Sequence, residues 1–237
     1  GEMVKNRWVA IPNTNDYDEN EPDQWWYYFG ENGKAFKRSD STTSDVTLKT
    51  INGKKYAFDV DGKMLFGWVS QGERLTDQDA WRNAKYYFGD ANDGAMTTGW
   101  REIMVHDDNA RTMEEQPNID YWDTDQVRWF YFNTSGKKEV KSLGKTINGK
   151  KYAFDDKGGM ISGLGLFEMK LLDNGKYSTT EFVDKLGSGN KAVPYSTQEK
   201  FVDAIGKVHY SDFLSGKYRM MYFGDGKDGA QKYGKQT

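Results

Sequence analysis

Residues 49–59 read KTINGKKYAFD, and residues 145–155 repeat the phrase without change. Looser copies of its aromatic heart recur along the chain. They are Trp26-Tyr27-Tyr28-Phe29 with Gly33, Lys85-Tyr86-Tyr87-Phe88 with Gly94, Trp129-Phe130-Tyr131-Phe132 with Gly136, and Met220-Met221-Tyr222-Phe223 with Gly226 and Gly229. A repeat this short is one supersecondary unit that cannot bury its apolar face alone, so copies must stack. Each aromatic run is rich in strand formers and ends in an Asp/Asn/Gly turn. A second short segment follows, such as Lys63-Met64-Leu65-Phe66 or Ala95-Met96-Thr97-Thr98. The expected fold is all-β: an elongated solenoid of stacked β-hairpin repeats.

Strand side chains alternate faces, which divides each run in two. The second and fourth positions read Tyr27/Phe29, Tyr56/Phe58, Tyr86/Phe88, Phe130/Phe132, Tyr152/Phe154 and Met221/Phe223. This face is apolar in every copy and is assigned to the core. The first and third positions read Trp26/Tyr28, Lys55/Ala57, Lys85/Tyr87, Trp129/Tyr131, Lys151/Ala153 and Met220/Tyr222. Packing does not fix that second face, so ligand binding is a live explanation where it is aromatic.

A Gly-Trp signal lies between hairpins at Gly67-Trp68 and Gly99-Trp100, with Trp8-Val9 as the tail of another copy. Gly163-Leu164 holds the same place without the ring. The array therefore has long units carrying two hairpins and a shorter one carrying a single hairpin. Residues 13–24 and 107–125 are polar insertions expected as surface loops.

Residues 165–216 lack the aromatic run. Ser178-x-x-Glu181 and Ser196-x-x-Glu199 match capping boxes, each opening a short apolar stretch that ends at Gly187 or Gly206. Two short helices are expected there, a small helical insertion. The domain reading is a β-hairpin array over 1–164, an inserted segment over 165–216 and a terminal repeat over 217–237.

Only 36% of residues are hydrophobic while 15% are aromatic, so the core must rest on rings. With no Cys, disulfides and thiolate metal sites are excluded. A net charge of −3 gives no basic field for nucleic acid. No apolar run approaches the ~20 residues that span a bilayer, so no membrane insertion is expected. The segments starting at Asp90 and Asp225 look superficially like calcium loops but lack the terminal bidentate Glu, and Asp, Asn and Gly are what a turn requires. His106 and His209 have no motif around them. No catalytic fingerprint is present, and neither a cofactor nor a metal ligand set is expected.

The stretch YYFGDANDGAMTTGW, Tyr86 to Trp100, resembles the choline-binding or cell-wall-binding repeats of Gram-positive surface proteins. INGKKYAFDVDGKM, Ile51 to Met64, resembles the related repeats of glucan-binding glucosyltransferases and clostridial toxins. The resemblance implies aromatic ligand cages between hairpins. Carried over by position, it selects Trp26, Tyr28, Trp68, Tyr87, Trp100, Trp129 and Tyr131. The KTINGKKYAFD units depart from the pattern, because Lys55/Ala57 and Lys151/Ala153 replace the rings, and they are expected to be spacers. Trp25, Trp81 and Trp122 lie off the motif. The implied function is a non-catalytic cell-wall-binding module, secreted or at the cell surface, whose partner is the choline of teichoic acid. A glucan or other surface glycan is the alternative ligand, and a stalk or protein-binding scaffold the third reading.

Overall fold

The computed structural model describes residues 1–15, 18–40, 45–107, 124–187, 210–224 and 226–233. The described chain is nearly all β, built of small antiparallel sheets. Strand β1 (Arg7–Pro12) pairs with β2 (Gln24–Phe29), and β3 (Leu48–Ile51) pairs with β4 (Lys54–Ala57). Strand β5 (Gly67–Ser70) lies between β6 (Glu73–Arg74) and β7 (Tyr86–Phe88), with the single-turn helix α1 (Ala80–Asn83) in their connection. Strand β8 (Gly99–Asp107) pairs with β9 (Thr124–Phe132), and β10 (Leu143–Ile147) with β11 (Lys150–Ala153). The last sheet has the order β13-β12-β14-β15, from β12 (Gly163–Leu171), β13 (Tyr177–Gly187), β14 (Tyr218–Phe223) and β15 (Gln231–Lys232). A short helix, α2 (Tyr210–Leu214), precedes β14.

The hairpins pair differently from the simplest reading of the sequence. The main partner of each aromatic strand is an earlier strand, the one immediately before it or, for β7 and β14, the one before that, so the Gly-Trp signal lies inside a hairpin rather than between two. Trp8 faces Tyr28, Trp68 faces Tyr87, and Leu164 faces Tyr222. After four of the aromatic strands the following segment closes with a single bridge: Phe29 to Ala35, Phe58 to Met64, Phe132 to Lys138 and Phe154 to Met160. The intervening turn consumes the local polar groups. Asp59 Oδ1 accepts from the Asp61 and Lys63 amides, and Asn133 and Asp155 do the same in their turns. Asp90 likewise accepts from Asn92 and Asp93, which makes that loop an Asx turn.

The next amide then reaches back to the preceding repeat. Met64 N–H donates to Trp26 O at 2.8 Å, Met96 to Lys55 O at 2.8 Å, Lys138 to Lys85 O at 2.7 Å and Met160 to Trp129 O at 2.9 Å. These bonds stack successive hairpins. Methionine suits the position, because a Cβ on Gly136 or Gly229 would run into the thioether of Met96 or Met160, and one on Gly94 into the Leu65 carbonyl oxygen beside Met64.

The repeated phrase is itself a hairpin. Asn52 and Gly53 have φ of 51° and 79°, and Asn148 and Gly149 have 48° and 77°. Positive φ at both central residues is what a two-residue type I′ turn demands, and Asn-Gly is its strongest sequence signal.

A longer period emerges from these pairings. Hairpins β1–β2, β3–β4 and β5–β7 correspond in order to β8–β9, β10–β11 and β12–β14. The third hairpins share Phe-Gly-Asp-x-x-Asp-Gly-Ala, at 88–95 and 223–230. The chain is two copies of a three-hairpin block. Two compact units, residues 1–101 with 132–138 and residues 102–131 with 139–237, each hold most of one block.

In the first unit, Ala57, Leu65, Val69, Tyr86 and Phe88 form one buried cluster, and Ile51, Tyr56, Phe58 and Met64 form another. In the second, Ala153, Ile161, Phe167, Met169 and Phe223 pack together. Phe58, Phe88, Phe132, Phe154 and Phe223 are buried as their face predicts, while Phe29 is only half-buried. Lys55, Lys85 and Lys151 are exposed.

The helix expected from Ser178 is a correction: residues 177–187 are strand β13. The turn around Gly175 (φ 75°) folds it onto β12, and Phe182 packs on Phe167 with ring centroids 5.3 Å apart. Thr179, Thr180 and Val183 favour a strand, and a ready partner outweighs a local cap. The helix expected from Ser196 lies outside the described residues. The expected boundary at 164/165 falls within β12, which pairs with β14. Strand β13 therefore lies in the chain between the two strands, β12 and β14, of the last hairpin.

Gly89 and Gly224 share φ of 46°, and a Cβ on either would overlap the carbonyl oxygen of Asp93 or Asp228. Gly89→Ala is expected to destabilise the first unit by about 2–6 kcal/mol, from left-handed strain plus backbone overlap. Urea unfolding should show the loss, and a midpoint within error of wild type would contradict it.

Asp155 tests the turns electrostatically. Burial raises its carboxyl above the ordinary value, partly offset by amide donors from Lys157 and Gly159 and by the charge of Arg128. A raised folded pKa penalises the ionised form at neutral pH. That penalty fades as pH falls through the raised value towards the unfolded value of 3.8. Asn133 performs the same acceptor role in its turn. Asp155→Asn should therefore raise the urea midpoint at pH 7, with the advantage shrinking towards pH 4. A variant less stable than wild type at pH 7 would refute this account.

Candidate functional site

The ring pairs arise from register. Trp68 on β5 and Tyr87 on β7 are direct cross-strand neighbours, and their centroids stand 4.9 Å apart at 68°. Trp8 and Tyr28 hold the same relation in the first hairpin, at 5.2 Å and 72°. Such edge-to-face pairs contribute about 0.5–1.5 kcal/mol beyond area burial. Trp8, absent from the residues that the resemblance selects, belongs with Trp68. The signal was available in the shared Trp-Val of Trp8-Val9 and Trp68-Val69.

The face assigned as free is largely a packing surface between hairpins. Trp8, Trp26, Tyr28 and Phe36 pack against Ile51, Tyr56, Phe58 and Met64. Trp8 also meets Tyr56 at 4.9 Å and stacks on Phe58 at 5.7 Å. Ala57 and Ala153 are fully buried on this face, so alanine there reflects closed space. Trp26 keeps a buried indole Nε1 with no hydrogen-bond partner among the described residues. In the second unit, Trp129 and Tyr131 are half-buried on β9, and Tyr131 lies 6.4 Å from Phe154. Trp100 is half-buried on β8. Of the off-motif tryptophans, Trp81 is buried on α1, Trp25 lines a cavity, and Trp122 lies outside the described residues.

Cations already flank the rings. Lys138 stands where Met64 and Met160 stand in other repeats. Its Nζ lies 5.3 Å from the Trp68 ring centroid and donates to the Trp81 carbonyl. The Arg101 guanidinium lies 5.1 Å from the Tyr87 ring. Lys49 lies 5.0 Å from the Phe36 ring. Burial raises the Tyr87 hydroxyl above its ordinary value, with Arg101 opposing. A ring gives a quaternary ammonium about 0.5–2 kcal/mol. A resident cation about 6–8 Å away opposes it by about 2–3 kcal/mol at an effective dielectric near 20. A neutral hydroxyl ligand meets no such repulsion.

Among the described residues, no group of His, Asp or Glu could hold a metal ion, and no helix is long and apolar enough to cross a membrane. No family model matches the chain. It is 26% identical over 208 residues to Glucosyltransferase-S of Streptococcus mutans serotype c, covering 88% of this chain. It spans only 9% of that enzyme's length. Among solved structures, the modular autolysin LytC of Streptococcus pneumoniae is 18% identical, with 80% of this chain and 36% of that one covered and a TM-score of 0.38. Choline binding protein F of the same organism is 18% identical, covering 97% and 67%, with a TM-score of 0.34. An alternansucrase in complex with isomaltononaose is 19% identical, covering 98% and 12%, with a TM-score of 0.32.

Proposed function

We propose that the chain is a non-catalytic module that binds a saccharide polymer outside a Gram-positive cell. The observation that carries this reading is the Trp68–Tyr87 pair with Arg101 and Lys138 on its rings. An aromatic surface supplied with fixed donors suits neutral sugar rings, whose C–H faces pack on rings and whose hydroxyls accept from cations. Similarity over most of the chain to a glucosyltransferase supports a glucan as the polymer. Trp129 and Tyr131 are the proposed counterpart in the second block. Each site is weak, about −4 kcal/mol for a millimolar ligand, and attachment depends on several sites engaging one polymer.

Choline-bearing teichoic acid is the second reading, favoured by the resemblance of residues 86–100 to choline-binding repeats. Chromatography of the whole chain on a dextran matrix and on a choline-bearing matrix separates the two. Retention on dextran, with elution by free isomalto-oligosaccharide, is the expected result. Retention on the choline matrix alone would transfer the function to teichoic acid. Retention on neither would leave a stalk or protein-binding scaffold.

A further inference from the structure

A cavity of about 320 Å³ in the first unit lies away from the ring pairs, lined by residues of β2, the turn at 59–63 and the β5–β6 hairpin. That volume is at the lower end of the ~300–1,000 Å³ usual for small-molecule sites. Trp25, almost fully buried, contributes to its wall. Arg74 is held rigidly beside it: the guanidinium lies 3.7 Å from the Phe66 ring centroid, and Nη2 donates to Asn20 O at 3.0 Å. Its Nε–H is buried and has no acceptor among the described residues. A buried donor on a held guanidinium, in the wall of a cavity, needs an acceptor that the described residues do not provide.

The lining charges nearly offset one another. Arg38, Lys63 and Arg74 face four carboxylates, among them Asp59 and Glu73. A cation or an anion gains little from such a mixture, whereas a hydroxyl can donate to the carboxylates and accept from the cations. Burial lowers the Arg74 pKa and raises that of Asp59, in keeping with a partly dehydrated cavity.

The two blocks provide an internal comparison. Tyr56/Tyr152, Phe58/Phe154, Asp59/Asp155 and Met64/Met160 match between them, being core and turn residues. Trp25 and Phe66 do not: the second block has Arg128 and Ser162 at those places. The repeat fold therefore does not require this aromatic pair, and its presence in the first block is left for a local role.

We propose that the cavity beside Trp25, Phe66 and Arg74 binds one or two units of a neutral saccharide, as a site separate from the Trp68–Tyr87 pair. The inference rests on the saccharide reading above but has its own test. Isomaltotriose is titrated into the ¹⁵N-labelled chain while the tryptophan indole signals are followed, with Trp25 assigned through Trp25→Arg. The Trp25 signal is expected to shift, saturating in the millimolar range. Arg74→Leu and Phe66→Ser should each raise the half-saturation concentration at least about tenfold, the worth of one good hydrogen bond. Trp68→Ala should leave it unchanged. Phe66→Ser adopts the residue of the second block, so its folding, checked by the unperturbed remaining indole signals, is expected to hold. A shift at Trp68 with none at Trp25 overturns this inference and leaves the polymer-binding proposal intact. No shift at either overturns both.

Discussion

Replacing Phe88 by alanine lowers the stability of the first unit by about 3–5 kcal/mol. The ring is fully buried among Ala57, Leu65, Val69 and Tyr86, with Met96 and Leu48 packed against the same cluster. Ala57 and Leu48 belong to the preceding hairpin, Met96 to the segment that follows. One side chain therefore joins parts of the array that have no common strand. In a stacked repeat protein, stability is roughly a sum of weak intrinsic terms and nearest-neighbour interfaces. Removing the ring at an interface opens a cavity that neither neighbour can close alone. Phe29→Ala should cost less, because Phe29 is half-exposed at the start of the array. Urea titration followed by tryptophan fluorescence measures both. A Phe88→Ala loss no larger than that of Phe29→Ala would contradict the stacking account.

The repeats were legible because period two and period-of-repeat coincide on Tyr-x-Phe. Five of the six phenylalanines at the fourth position are buried as their face predicts, Phe29 at the start of the array being half-buried. The strand pairing was less legible. A turn after Phe58 suggests that the chain doubles back at once, yet Asp59 Oδ1 and the Lys63 carbonyl satisfy the turn locally and only Phe58–Met64 bridges. The true turn of that hairpin was present as Asn52-Gly53 within the repeated phrase. The longer strands at 99–107 and 124–132 sit beside a polar insertion, which hid their partnership. For the site, alternation named Tyr28, Tyr87 and Tyr131 but could not say what the opposite strand presents. Register placed Trp8 against Tyr28. Lys138 could not be found from its own neighbourhood, because it reaches Trp68 and the Trp81 carbonyl across a long sequence separation. Ser178 shows the converse failure: a good local cap lost to a nearby strand.

Trp68→Ala is expected to weaken binding of a long dextran by up to about tenfold, the ratio of a millimolar effective concentration to a millimolar Kd, while leaving isomaltotriose binding at the Trp25 cavity unchanged. The difference follows from how a weak multi-site binder works. A short sugar reports one site and its own contacts. A polymer held at a first site meets the second at an effective concentration in the millimolar range, so losing that second site removes the whole intramolecular step. Trp68 is half-buried against Tyr87 and near Phe132, so truncation also costs folding stability, and a melting curve must show the variant folded at the assay temperature. Surface plasmon resonance on immobilised dextran, with isomaltotriose as the soluble competitor, measures both quantities on one surface. Equal dextran binding by wild type and variant would show that the ring pair serves packing alone, as the edge-to-face contacts of Trp8 do in the first hairpin. A parallel loss for polymer and trisaccharide would instead place a single saccharide site at Trp68. The gap between the two ligands is the signature that distinguishes an array used for its repetition from one that merely folds by it.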